Sequence, residues 1–127
     1  MDGLPGFAAF DKAVKERAAS GVLKGLDGRP IRIKHAHSAV NYLLQSAGAI
    51  ICKSWVIRTH EILQSAGVDY WPLAWVHDEQ QLSVHPDHAE LASFALTAAM
   101  KDVEQSIRFN CALDAESVSG SNWAECH

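Results

Sequence analysis

Two apolar runs meet at an acidic corner, Leu73-Ala74-Trp75-Val76-His77-Asp78-Glu79-Gln80-Gln81-Leu82-Ser83-Val84. A tight hairpin favours Asn-Gly or another glycine-containing turn, because its central residues need positive φ. Here the reversal is expected at Asp78-Glu79, which leaves two carboxylates at the tip. A local rule broken in this way is expected where a site, rather than stability, selects the residues. Carboxylates about 4 Å apart repel by about 4 kcal/mol at an effective dielectric near 20. A hard divalent cation relieves that repulsion, so Asp78 and Glu79 are the first candidates for a Mg2+ site. A solvated hairpin tip is the competing reading.

Other chemistry-bearing groups give weaker signals. His35-Ala36-His37 has the look of a zinc pair, but no third or fourth ligand follows at a suitable spacing. Cys52, Cys111 and Cys126 are odd in number and form no CxxC pair, which fits reduced thiols in a cytosol better than a disulfide framework. Lys34, Arg32 and Arg29 are candidates for phosphate-backbone contacts, with a solvated hairpin as the alternative. Trp55, Trp71, Trp75 and Trp123 are expected in a core or covering a sheet.

The elements that must position these groups are read from periodicity. Phe7, Phe10, Val14 and Ala18 predict a short amphipathic helix ended by Ser20-Gly21. A hairpin follows, Val22–Leu26 and Pro30–Lys34, around Asp27-Gly28. A long helix is predicted from about Ser38 to Ala66, with Val40, Leu44, Ala47, Ile51, Trp55 and Ile62 in one stripe and Gly67 as its C-cap. After the acidic hairpin, Asp87 as N-cap and Glu90 three residues later predict a third helix to about Arg108. A last strand is expected near Phe109 to Asp114, before a Ser/Gly-rich tail. Leu-Gln-Ser-Ala-Gly occurs at 44–48 and again at 63–67 without implying a repeat architecture. The fold class is α+β, with three helices packed on a small antiparallel sheet in a single domain over 1–127.

Composition narrows the classes further. With 127 residues, 48% of them hydrophobic, the chain can bury one ordinary core. No apolar stretch approaches the roughly 20 residues that span a bilayer, so a membrane role is not expected. A net charge of −4 argues against a free-standing DNA binder. The charge is uneven, however: residues 1–64 hold nine Lys or Arg against five Asp or Glu, and residues 65–127 hold two against ten. A duplex would lie along the first half and a metal along the second; chance clustering of surface charge is the bland alternative.

Gly25-Leu26-Asp27-Gly28-Arg29, then Asn41-Tyr42-Leu43-Leu44-Gln45-Ser46-Ala47-Gly48-Ala49, then Val76-His77-Asp78-Glu79, and last Asn122-Trp123-Ala124-Glu125-Cys126-His127 occur in one order. That ordered set resembles the C-terminal end of a bacteriophage-type family A DNA polymerase, related to bacterial DNA polymerase I. The resemblance runs from about Lys24 to His127. It implies a partial palm domain, with 1–34 derived from the fingers and 35–127 carrying the long helix, the motif C hairpin, a helix and a C-terminal strand. By the same resemblance Asp78 matches an invariant metal-binding aspartate, Glu79 a nearby and less critical carboxylate, and His77 a residue near the primer 3′ terminus. Gln45 matches a glutamine that reaches the minor groove of the primer-terminal pair, where a donor amide checks pair geometry without reading sequence. Asn41, one turn earlier on the same face, is placed to touch the adjacent strand. His37 stands where relatives of DNA polymerase I have an arginine, which weakens a phosphate contact at neutral pH. Cys126-His127 is expected to pack near the palm as a chain end.

The family's motif A, with its second catalytic aspartate, and its fingers helix do not occur in these residues. Two-metal phosphoryl transfer needs both aspartates. The chain is therefore expected to be a piece of a DNA-directed DNA polymerase, inactive alone, that uses Mg2+ only with a complementary subunit carrying motif A and the fingers. Primer-template DNA is the expected ligand. An uncovered palm face also favours a homodimer when that subunit is absent. The implied location is the cytoplasm of a phage-infected or prophage-bearing bacterium. The alternative function is a non-catalytic DNA- or protein-binding remnant of a polymerase.

Overall fold

The computed structural model describes residues 4–126. They form an α+β fold of three α-helices and two separate two-stranded antiparallel sheets, in the order α1 (Phe7–Ala18), β1 (Val22–Lys24), β2 (Pro30–Arg32), α2 (Ala39–Ser65), β3 (Tyr70–Val76), β4 (Glu79–Val84), α3 (Ala89–Ile107). The chain divides into two compact units at Ile50/Ile51, inside α2. None of the described helices is long and apolar enough to cross a membrane.

In the first unit Val14 and Ala18 of α1, Leu23 of β1 and Ala39 of α2 are buried together, with Ile31, Ile33, Val40 and Leu43 packed against them. Phe10, expected in this core, is exposed. The β1–β2 turn is one residue longer than an Asp-Gly pair. The Gly25 N–H donates to the Arg29 carbonyl at 2.8 Å, and Gly28 closes the loop with φ 83. This is the three-residue loop whose last position takes a left-handed glycine.

The second unit has two buried clusters. Trp55, Ala99, Met100 and Val103 join α2 to α3. Leu63, Val68, Ala92 and Ala95 lie beneath the hairpin, with Tyr70, Leu82 and Val84 packed on them. The end of α2 follows the Schellman pattern: Gly67 has φ 66, its N–H bonds the Gln64 carbonyl, and the Val68 N–H bonds the Leu63 carbonyl. The buried Leu63–Val68 contact completes that motif. The buried stripe of α2 differs from the expected one. Leu44 is exposed, while Thr59 is fully buried, its hydroxyl satisfied by Gln80 Nε2, which donates to it at 3.0 Å. Of the four tryptophans only Trp55 is buried; Trp71, Trp75 and Trp123 are exposed.

Two expected elements take other forms. Asp87 does not cap α3: Pro86–His88 form a 3-10 turn instead, and the Asp87 N–H donates to His85 Nδ1 at 3.4 Å. Proline at the start of this turn supplies the fixed φ and needs no donor. Residues 109–114 form no strand. Residues 113–117 instead run along α3, where Glu104 accepts from the Leu113 N–H at 2.6 Å, Lys101 donates to the Leu113 carbonyl, Thr97 to the Ala115 carbonyl, and Ser93 pairs with Ser117. The spacings match: four helical residues rise about 6 Å and two extended residues about 6.6 Å. The α3 side chains thereby replace a sheet ladder. Glu104→Ala should remove about 1.5–3 kcal/mol of this strapping and speed proteolytic cleavage within 109–118; an unchanged cleavage rate would show that the strap does not depend on the carboxylate.

The tail closes on itself. The Glu125 carboxylate accepts from the Ser121 N–H at 2.7 Å, the Ser121 hydroxyl at 2.9 Å and Asn122 Nδ2 at 2.8 Å. These donors, the Ser121 N–H foremost, hold its carboxyl below the usual range. A Cβ at Gly120 would lie 2.5 Å from Glu125 Cβ, so glycine is required there. The expected docking of Cys126-His127 involves His127, which lies outside the described residues.

Candidate functional site

The acidic hairpin turns one residue earlier than expected. Val76 pairs with Glu79, so His77 and Asp78 are the two loop residues and Glu79 opens β4. His77 takes the positive φ, 53°, that a glycine would otherwise supply. Histidine is among the side chains that tolerate this region, at a cost of roughly 1 kcal/mol or more. His77→Gly should therefore stabilise the second unit by about 1 kcal/mol, read as a higher urea midpoint at unchanged slope; a lower midpoint would show that the imidazole repays its strain.

The register breaks once, between Pro72 and Ala74, where Leu73 is the extra residue. A bulge at this point switches the faces of the strand. Tyr70 and Pro72 lie on the side of Val84 and Leu82; beyond the bulge it is Trp75 that lies opposite Gln80 on that same side. Gln80 bonds Thr59 and so ties this side to α2. The opposite side carries Trp71, Ala74 and Val76, and Trp71 and Val76 are exposed.

At the tip, His77, Asp78 and Glu79 are all exposed. Among the described residues, Asp78 accepts no hydrogen bond and makes no ion pair. Glu79 accepts from Gln81 Nε2 at 2.6 Å. Cys52 of α2 lies near enough to Asp78 to feel it: burial pushes the thiol up, and the Asp78 charge adds to the same direction. The Trp75 indole N–H donates to the His77 carbonyl at 2.9 Å. No group of three or more His, Cys, Asp or Glu that could hold a metal occurs among the described residues.

The remaining candidates lie in the first unit. Asn41 and Gln45 are exposed on α2, four residues apart and so on one face. His37 lies in the 3-10 turn Ala36–Ser38 before α2, its ring stacked on His35 with centroids 5.5 Å apart. Arg32 and Lys34 are exposed while Ile31 and Ile33 turn to the core, the period-two pattern of a half-buried strand. Arg29 differs from them. Its guanidinium is 2.6 Å from Asp27, and its hydrogen bond to that carboxylate holds the Asp27 carboxyl below its ordinary value. Lys24 is the basic residue that the sequence reading passed over. It pairs with Pro30 in the register that sets Val22 against Arg32, so it shares their outward face. Two-residue alternation across the hairpin was the available signal.

The family model for DNA polymerase family A matches residues 20–125, a span that contains every candidate named above. The DNA-directed DNA polymerase of Enterobacteria phage T3 is 42% identical over 112 residues, 83% of this chain and 16% of that protein. The enzyme of Escherichia phage T7 is 43% identical over the same shares. DNA polymerase I of Aquifex aeolicus (strain VF5) is 31% identical over 94% of this chain and 22% of its own length. Among solved structures, the polymerase domain of Pol1 from M. smegmatis, in complex with DNA primer-template and dNTP, is similar with a TM-score of 0.70. It is 20% identical and covers 77% of this chain and 20% of that one, a likeness of fold. The chain thus spans 16% of the length of the two phage relatives.

Proposed function

The chain belongs to DNA polymerase family A, and from that premise we propose that it supplies the primer-terminus side of the palm of a DNA-directed DNA polymerase. The observation that carries this reading is the hairpin tip, where Asp78 stands exposed and unpartnered on a two-residue turn beside Glu79. A carboxylate presented in this way suits a hard cation, since both donors are oxygen. Asp78 and Glu79 would hold Mg2+ as part of its oxygen sphere. Water, nucleotide phosphates and a second aspartate on polypeptide beyond these residues, continuous with them or in a partner chain, would complete it. When bound, the ion supplies charge stabilisation at the transferring phosphoryl group.

The chain's own groups have separate tasks. Asp78 is the principal ligand. Glu79, already accepting from Gln81, is the auxiliary one. His77 offers an imidazole to a phosphate or sugar at the primer terminus. Gln45 donates its amide to the minor-groove acceptors that every base pair presents, and Asn41 touches the neighbouring strand from the same helix face. Arg32, Lys34 and Lys24 bind backbone phosphate by charge, with Arg29 weakened by Asp27 and His37 a lesser contact. The completing polypeptide, or a second copy in its absence, would cover the exposed Trp71 and Val76.

The test is to recover the tagged chain from its native source and assay the eluate for Mg2+-dependent primer extension. Extension accompanied by a chain or continuous segment bearing the second aspartate supports the reading. A chain that binds primer-template with no extension under any complementation would instead favour a non-catalytic binding module.

A further inference from the structure

The geometry points to Trp75 as the positioning residue that fixes the direction of Asp78, a role that rests on the reading of Asp78 as the metal ligand. Three observations converge on it. The His77-Asp78 turn is held at a costly backbone conformation, with φ 53 at His77, and such a turn persists only where its surroundings over-determine it. The Trp75 indole N–H supplies that constraint by donating at 2.9 Å to the carbonyl of His77, the peptide that leads directly into Asp78. The bulge at Leu73 is what brings the indole to this side of the hairpin, opposite Gln80.

Trp75 is 41% exposed and borders a shallow cavity of about 200 Å³, so the ring has room to tilt and the hydrogen bond to His77 restrains it. Gln80, its cross-strand partner, is anchored on buried Thr59. The strand opposite Trp75 is thus tied to α2 through Gln80 and Thr59, and Trp75 reaches Asp78 through the His77 carbonyl. Losing the indole N–H leaves the carboxylate in place but free to swing. Misplacement of a reacting group by about 1 Å can cost up to roughly a hundredfold in rate.

Trp75→Phe keeps the ring and removes the donor. In the reconstituted or native polymerase complex, normalised to active sites by burst amplitude, kcat should fall roughly tenfold while KM for primer-template and for nucleotide stays within about twofold. The thermal midpoint of the purified chain should move little, in contrast to a core variant. Three results would overturn the proposal. Normalised kcat could be unchanged in Trp75→Phe while Asp78→Ala abolishes extension. The loss could vanish on active-site normalisation, which marks a folding defect. Or Asp78→Ala could itself be harmless, in which case the functional reading fails and the positioning role falls with it.

Discussion

Asp78→Ala is expected to reduce Mg2+-dependent primer extension by about 10²–10³-fold, the scale on which removal of one preorganised electrostatic group acts. The size follows from the site's economy of ligands. Among the described residues no cluster of three metal-ligating side chains surrounds the tip, so Asp78 is a large part of what this chain offers the ion. Glu79→Ala should cost much less, roughly tenfold, because the Glu79 carboxylate already accepts from Gln81 at 2.6 Å. Affinity for primer-template should hardly change in Asp78→Ala, since phosphate contacts dominate binding. Single-turnover extension by the active-site-titrated complex separates the two variants. Equal losses in both would show that the carboxylates act as one unit, against the division of roles argued above.

Trp55→Ala should destabilise the second unit by about 3–5 kcal/mol, the cost of truncating a buried aromatic side chain. Trp55 is 5% exposed, packs with Ala99, Met100 and Val103, and donates its indole N–H to the Leu96 carbonyl at 2.8 Å. Leu113 and Ala115 of the strap pack on the same cluster, so the substitution also loosens residues 109–118. Against a typical net stability of about 5–15 kcal/mol, that is a large share of the unit's reserve. Urea unfolding followed by circular dichroism measures this directly. A loss below about 1 kcal/mol would mean that the site collapses around the smaller side chain.

The two copies of Leu-Gln-Ser-Ala-Gly show what could be read in advance and what could not. At 44–48 the five residues sit inside α2 and Gly48 is only a helical residue; at 63–67 they end the helix, with Gly67 left-handed and Leu63 buried. Only the second copy is followed by Val68, whose burial against Leu63 completes the terminating motif. The long helix, its glycine stop and the outward Arg32 and Lys34 were legible because each rests on local periodicity or a single φ requirement. The turn was misplaced by one residue because an extra residue at Leu73 alters the phase of the strand. Pro72 was the one warning, since proline within a strand marks an edge or a bulge. The missing C-terminal strand was beyond local reading. Its backbone partners are side chains of α3, from Thr97 to Glu104, met only after the chain reverses. Of the candidate site, the exposure of Asp78 and Glu79 at a hairpin tip was legible; the tether from Trp75 to the His77 carbonyl was not, because it depends on that same bulge.

The most direct measurement is Mn2+ titration of the 15N-labelled chain assembled with the completing polypeptide and primer-template, followed by amide line broadening at substoichiometric metal. Broadening centred on His77, Asp78 and Glu79, and lost in Asp78→Ala, is the predicted result. Broadening centred instead on Asp69, Asp87 or Glu90, or broadening at the tip that survives Asp78→Ala, would contradict a metal-holding role for Asp78.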